Sequence, residues 1–269
     1  MERAAIRRRR VSSVASAPRI VWRLATVIDV VPETPRSRTL VLDVPQWPGH
    51  RAGQHVDVRL TAEDGYQSER SYSIASPPED SRLALTVERL QDGEVSPYLA
   101  DELRSGDQLE LRGPIGGYFV WDIALGGPLL LVAGGSGIVP LMAMLRHRNQ
   151  ALTASEMERH QLPARLLYSS RRWDEVIYRD ELARLAEQDP TLEVRHTLTR
   201  DQPEGWSGFR RRIDRAMLEE VSWPPSEQPR VFVCGPTRLV ESVATSLVEL
   251  GHQPALVKTE RFGPTGGSI

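Results

Sequence analysis

Between Val21 and about Trp121, apolar and polar positions alternate in short runs: WRLATVIDVV, RTLVLDV, HVDVRL, RSYSIAS, RLALTVERL and DQLELRG. Gly, Pro, Asp and Ser separate them. Alternation of period two at this spacing predicts antiparallel strands, each with one buried and one wetter face, closing into a β-barrel. A single helical interruption is expected over Ser96–Leu103, with Pro97 near its start and Leu99 and Leu103 four apart. After Ala124 the pattern changes. PLLLVAG, PARLLYSS, LEVRHTLT and PRVFVCG are apolar without alternation, as strands buried on both faces are, and helical periodicity runs over Pro140–Arg148, Asp180–Gln188 and Arg238–Leu250. The expected fold class is therefore two-domain: a basic tail over 1–17, an antiparallel β-barrel domain over 18–122, and an α/β doubly wound parallel-sheet domain over 125–269.

Length and composition agree with this division. At about 150 residues per domain, 269 residues suggest two cores, and 40% apolar with 26% charged residues is the balance of a folded chain. The formal net charge is −2, but the first ten residues hold five arginines against one glutamate, so the rest sums to −6. Such a body disfavours nucleic acid as a partner. Cys234 is the single cysteine, which excludes an intramolecular disulfide, a cysteine-rich zinc site and a four-thiolate iron–sulfur cluster held by this chain alone. No metal site is expected. The opening stretch lacks the continuous apolar segment of a signal peptide and reads as a solvated basic tail. The uncharged run Ile123–Leu145 is long enough for a membrane helix, yet its glycines and prolines divide it into strand, turn and helix start, with Pro140 suited to the first helical position. No membrane span and a cytoplasmic location follow as expectations.

Several pieces carry candidate chemistry. In the second domain Gly134-Gly135-Ser136-Gly137 joins a strand to a helix, where backbone N–H groups can hold a pyrophosphate that glycine lets approach. The pattern is not G-x-G-x-x-G, so the ordinary dehydrogenase fingerprint is absent. The next strand ends in Tyr168-Ser169-Ser170-Arg171-Arg172, at the place where a dinucleotide fold meets the adenosine ribose. An arginine there suits a 2′-phosphate, so NADPH is expected, with Arg171 leading, Ser170 donating and Arg179 assisting. Asp174 and Glu175 just downstream leave NADH open. A late strand delivers Cys234, followed by a Gly235-Pro236 turn, to the carboxyl end of the sheet; taken alone, such a cysteine is more often a small core residue than a catalytic group. In the first domain RSYSIAS places Arg70, Tyr72 and Ser76 on one strand face and Ser71 and Ser73 on the other. Gly93, Val95 and Ser96 precede the expected helix as a second phosphate cradle, with Ser96 also fitting a plain N-cap.

In the order RSYSIAS, GEVS, RGPIGGYF, AGGSGIVP, YSSR, CGP and ERFG, these pieces resemble the ferredoxin–NADP reductase family, in particular the stand-alone bacterial flavin reductases related to oxygenase reductase components. The resemblance spans about residues 20–265. It implies FAD and NADPH as cofactors, with Arg70 on the flavin pyrophosphate, Tyr72 against the isoalloxazine and Ser73 near its N5. It maps the flavin phosphate loop onto Gly93, Val95 and Ser96, and the nicotinamide-phosphate turn onto Gly135, Ser136 and Gly137. Cys234 before Gly235-Pro236 would lie near the nicotinamide, Phe262 would cover the other flavin face, and Glu260 would lie beside the hydride path.

Two departures qualify the match. Phe262 is followed by GPTGGSI, whereas the family's aromatic residue stands at or near the C-terminus, and no four-cysteine iron–sulfur domain is fused to this chain. The resemblance thus implies a separate acceptor protein, a ferredoxin, a cytochrome or a metalloenzyme component, toward which Arg7–Arg10 could steer an acidic partner. A reductase of freely diffusing flavin and a flavin-bearing docking subunit without turnover stay open as alternatives.

Overall fold

The computed structural model describes residues 20–152 and 162–262, so the basic tail and the segment after Phe262 lie outside the described residues. The first sheet comprises β1 (Trp22–Thr34), β2 (Ser37–Asp43), β3 (His55–Thr61), β4 (Gln67–Ser73), β5 (Leu83–Glu88) and β6 (Gln108–Ile115). They pair antiparallel in the order β4-β3-β6-β1-β2-β5, and an antiparallel bridge from Ile74 to Leu85 joins the two end strands, closing the expected barrel. Alternation fills it. Leu40 and Leu42, Val56 and Val58, and Leu85 and Val87 all point inward and are fully buried.

The expected helix over Ser96–Leu103 is shorter than the sequence suggests, a single π-helical turn at Tyr98–Glu102. Ser96 does not cap it. Its buried hydroxyl instead accepts from Leu90 N at 3.1 Å, tying down the preceding loop. Ser76 also departs from expectation, because β4 ends at Ser73; its buried hydroxyl accepts from Ala84 N at 3.0 Å.

The second sheet is wholly parallel: β7 (Leu129–Gly134), β8 (Ala164–Ser170), β9 (Leu192–Leu198), β10 (Arg230–Pro236) and β11 (Val257–Phe262), in the order β11-β10-β7-β8-β9. Every residue of β7 is buried, as an unalternating apolar run requires. Four helices accompany it among the described residues: α1 (Ile138–Leu152), α2 (Arg179–Gln188), α3 (Arg215–Val221) and α4 (Thr237–Glu249). Helix α1 starts two residues before Pro140, which occupies the first turn, where a missing N–H loses no helical bond. The strand order reverses between β7 and β10, and in such sheets the crevice at the carboxyl ends of the two strands is where ligands bind.

The two sheets share a core. Ala52, Ala75, Phe119 and Trp121 from the barrel side pack into the cluster built around β7, α1 and β10. Polar groups then lock the junction: Thr39 donates to Glu33 at 2.6 Å and meets Thr86 at 2.7 Å, and Thr86 in turn hydrogen-bonds the Tyr178 hydroxyl. Arg146 of α1 grips Glu181 of α2 through two bonds of 3.0 and 2.6 Å, donates to Ala75 O at 2.7 Å and lies over the Tyr178 ring. The bonds from Thr86 to Tyr178 and from Arg146 to Ala75 O cross the junction and help to hold the two domains around the cleft.

Candidate functional site

The turn after β7 uses its glycines for different reasons. Gly135 takes a φ of +54°, which favours glycine, and a Cβ there would meet nothing within 4 Å. At Gly137 a Cβ would lie 2.2 Å from the Cys234 carbonyl oxygen, so only glycine lets α1 start against β10. A Cβ on Gly235 would approach the Gly134 backbone to 3.2 Å. These glycines bring the turn, Cys234 and Pro236 together at the strand-order reversal.

Beyond the turn lies a cleft of about 280 Å³. Gly135, Ser136, Ser170, Arg171, Pro236 and Phe262 line it, so six of the residues picked out in the sequence converge there. Arg171 forms no ion pair among the described residues, whereas its neighbour Arg172 is held by Asp174 at 3.3 Å and Asp201 at 3.7 Å. The buried Ser170 hydroxyl lies near that of Tyr168 without forming a hydrogen bond of normal geometry. Arg179 is a correction. Its Nε pairs with Asp180 at 2.9 Å, its guanidinium lies 5.7 Å from the Trp173 ring, and it does not line the cleft.

The second convergence joins the domains. Ser73, at the end of β4, donates to Glu260 of β11 at 3.5 Å, a long contact across 187 positions of sequence. Glu260 is the register partner of Cys234 on β10. Burial pushes the Glu260 carboxyl from its ordinary 4.5 up to about 7, only partly opposed by the Ser73 hydroxyl. Burial, and then the neighbouring Glu260, pushes the Cys234 thiol well above its ordinary value, so it stays a neutral thiol. His55 is the register partner of Ser73 on β3, and burial lowers its proton affinity.

On the barrel side Arg70 is exposed and reaches Glu94 at 3.5 Å. The same Glu94 oxygen accepts from Ser68 at 3.0 Å and from the Tyr66 hydroxyl at 3.4 Å, so Gly93 and Glu94 stand beside Arg70. Tyr72 packs against the barrel core, and burial pushes its phenol up to about 12. Ser71 is committed elsewhere: its hydroxyl donates to Asp57 at 2.6 Å, and Asp57 also accepts from Arg112. The Val95 side chain is a barrel-core residue at 1% exposed, which leaves only its backbone to face a ligand.

Three charged residues of these surfaces escaped the reading of the sequence. Glu94 lies inside the phosphate-loop motif itself, where its acidity was the available signal. Arg36 and Glu88 reach the cleft only because β2 and β5 pair, a contact no local pattern announces.

Two family models match the chain, one over each sheet. Residues 25–120 match the oxidoreductase FAD-binding domain family and residues 131–245 the oxidoreductase NAD-binding domain family. Ferredoxin–NADP reductase B of Sorangium cellulosum is 36% identical over 219 residues, covering 78% of this chain and 84% of that protein. A glycine betaine monooxygenase reductase subunit of Chromohalobacter salexigens is 30% identical over 247 residues; the match covers 90% of this chain, which spans only 64% of that relative. Among solved structures, a cytochrome P450 reductase from Amycolatopsis superposes with a TM-score of 0.76 at 26% identity, over 94% of this chain and 74% of that one.

Proposed function

The chain belongs to the ferredoxin–NADP reductase family, and on that premise we propose that it is an FAD-dependent oxidoreductase that takes a hydride from NADPH and passes the electrons to a separate carrier protein, a ferredoxin or an oxygenase component. The observation that carries this reading is the meeting of Ser73 from the barrel with Glu260 and Cys234 from the α/β sheet, two residues from Phe262 and Pro236 of the cleft. A cytoplasmic location is part of the proposal.

The residues present fit a flavin dinucleotide. Cation, aromatic ring and hydroxyl follow one another at Arg70, Tyr72 and Ser73, and a Cβ on Gly117 in the adjoining loop would meet nothing within 4 Å. When bound, FAD supplies acceptance of a hydride and release of electrons one at a time. Arg70 would hold the diphosphate as a charge-assisted donor in place of its contact with Glu94. Tyr72 offers its ring as a packing face, and the half-exposed Phe262 would supply a second one. The Ser73 hydroxyl is oriented by Glu260, whose carboxyl holds a proton below about pH 7 and releases it above. Cys234, 2% exposed and neutral, keeps water from the inner wall of the site.

NADPH is preferred over NADH on the strength of Arg171 and Ser170: an unpaired guanidinium beside a buried hydroxyl suits a phosphate better than a free ribose hydroxyl. The test is to dialyse the purified chain, measure FAD per protein, and follow NADPH oxidation with ferricyanide or cytochrome c as one-electron acceptor. One retained FAD and turnover without added flavin is the expected result. Turnover that appears only when free flavin is supplied would replace this reading with that of a diffusible-flavin reductase.

A further inference from the structure

The cleft that holds Ser136 and Arg171 is not built by the α/β domain alone. Its opposite wall comes from the barrel, where Arg36, Glu88 and Leu90 face it. Arg36 lies in the tight turn between β1 and β2, next to the Ser37 that pairs with Glu88 at the end of the β2–β5 ladder. The backbone anchors it: Arg36 O accepts from Arg89 N at 2.8 Å and Arg36 N donates to Thr34 Oγ1 at 3.2 Å. One guanidinium nitrogen donates to Arg89 O at 2.9 Å, which spends a single N–H of the five available and fixes the direction of the fork.

Arg36 forms no ion pair among the described residues. Neighbouring Arg89 is neutralised by Asp101 at 2.6 Å and Arg172 by Asp174 and Asp201, yet neither arginine that lines the cleft, Arg36 or Arg171, forms an ion pair among the described residues. Glu88 and Glu175 also line the cleft, without pairing with either arginine. Two guanidinium groups without an ion pair, one from each domain, line one cleft together with the buried, unpartnered Ser170 hydroxyl and the Gly135–Ser136 turn, a set of donors suited to an anion.

We propose that Arg36 is a phosphate ligand for the dinucleotide, contributed across the cleft by the barrel domain, so that a phosphate group is clamped between Arg36 and the Ser136–Arg171 wall. This rests on the reading of the cleft as the NADP(H) site. The phosphate is either the adenosine 2′-phosphate or the pyrophosphate, and fragments of the nucleotide separate the two. 2′,5′-ADP carries the first without a pyrophosphate, and 5′-ADP carries a pyrophosphate without the first.

The test is calorimetric titration of the FAD-loaded protein with 2′,5′-ADP and with 5′-ADP, in wild type, Arg36→Met, Arg36→Lys and Arg171→Met. Arg36→Met is expected to weaken one fragment by about 10- to 100-fold, the range of a lost charge-assisted hydrogen bond. Arg36→Lys, keeping the charge without the planar fork, should recover part of that loss. Weakening of 2′,5′-ADP alone identifies the 2′-phosphate, and weakening of 5′-ADP alone the pyrophosphate. If Arg171→Met weakens binding while Arg36→Met leaves both affinities within about twofold of wild type, the proposal fails and the cleft reading stands. If neither variant changes either affinity, both are overturned. Unchanged melting temperature and FAD content in Arg36→Met are the expected controls, and Arg36→Lys remains decisive should that variant fold poorly.

Discussion

Replacing Glu260 by glutamine should make the protein slower and, by an amount that grows as pH rises from about 4.5 to 7, more stable. The carboxyl is raised from 4.5 to about 7 because folding buries it between the two domains with one long hydrogen bond as compensation. At about 1.4 kcal/mol per tenfold change in proton affinity, holding it ionised costs the folded state about 3 kcal/mol above pH 7. Since the folded pKa lies above the unfolded one, the folded chain binds the extra proton. The cost is therefore absent below about pH 4.5 and grows as pH rises through 7. At pH 5 less than about 1 kcal/mol of it has developed. Glutamine keeps the acceptor for Ser73 and carries no charge, so Glu260→Gln should melt about 5–10 °C higher relative to wild type at pH 8 than it does at pH 5. The assay is a pair of thermal melts by circular dichroism at the two pH values. Anaerobic reduction of the FAD-loaded variant by NADPH should meanwhile slow by about tenfold or more, the exchange of stability for activity expected when a strained site is relaxed. An equal melting shift at both pH values, or destabilisation at pH 8, would refute the buried-carboxylate reasoning.

Cys234→Ser should slow flavin reduction by about tenfold, about 1.4 kcal/mol of barrel-side and nicotinamide contact, while the dissociation constant for NADPH changes less; stopped-flow traces across NADPH concentrations separate the two. Arg70→Met should weaken FAD retention by about tenfold or more, and Glu94→Gln should strengthen it, because the glutamate competes with the diphosphate for Arg70. Fluorescence titration of apoprotein with FAD checks both directions. Gly137→Ala should destabilise by about 3 kcal/mol or more, since the added methyl meets backbone at 2.2 Å and cannot be relieved by a rotamer change; a chemical denaturation curve reads this directly.

Much of the fold was legible because each domain writes its burial into the period of its strands. The barrel strands alternate, and β7, buried on both faces, does not. What escaped had physical reasons. Helix α3 spans only seven residues, too few to display a helical period, and β11 is an edge strand whose VKTERF carries one apolar residue into the core. The helix expected over Ser96–Leu103 is only a π-helical turn at Tyr98–Glu102, because Leu99 and Leu103 serve the barrel core rather than a helical face. At the site, Gly135, Ser136, Ser170, Arg171, Pro236 and Phe262 met as expected, since each sits at the carboxyl end of a parallel strand or in the turn that follows. Arg179 did not meet them, because Asp180 beside it captures its guanidinium. Ser71 and Ser96 turned to partners within the barrel. Arg36 and Glu94 were invisible as site residues, one depending on a long-range strand pairing and the other carrying the wrong sign for a phosphate loop.

The central claim is that hydride passes from NADPH to a flavin held where Ser73, Glu260 and Cys234 meet. The most direct measurement is anaerobic stopped-flow absorbance of the FAD-loaded protein mixed with one equivalent of NADPH or, separately, of NADH. The expected result is single-turnover bleaching of the flavin band, faster with NADPH than with NADH, and slowed by Glu260→Gln and Cys234→Ser. A flavin that neither nucleotide bleaches, or one bleached equally fast in wild type and both variants, would contradict it.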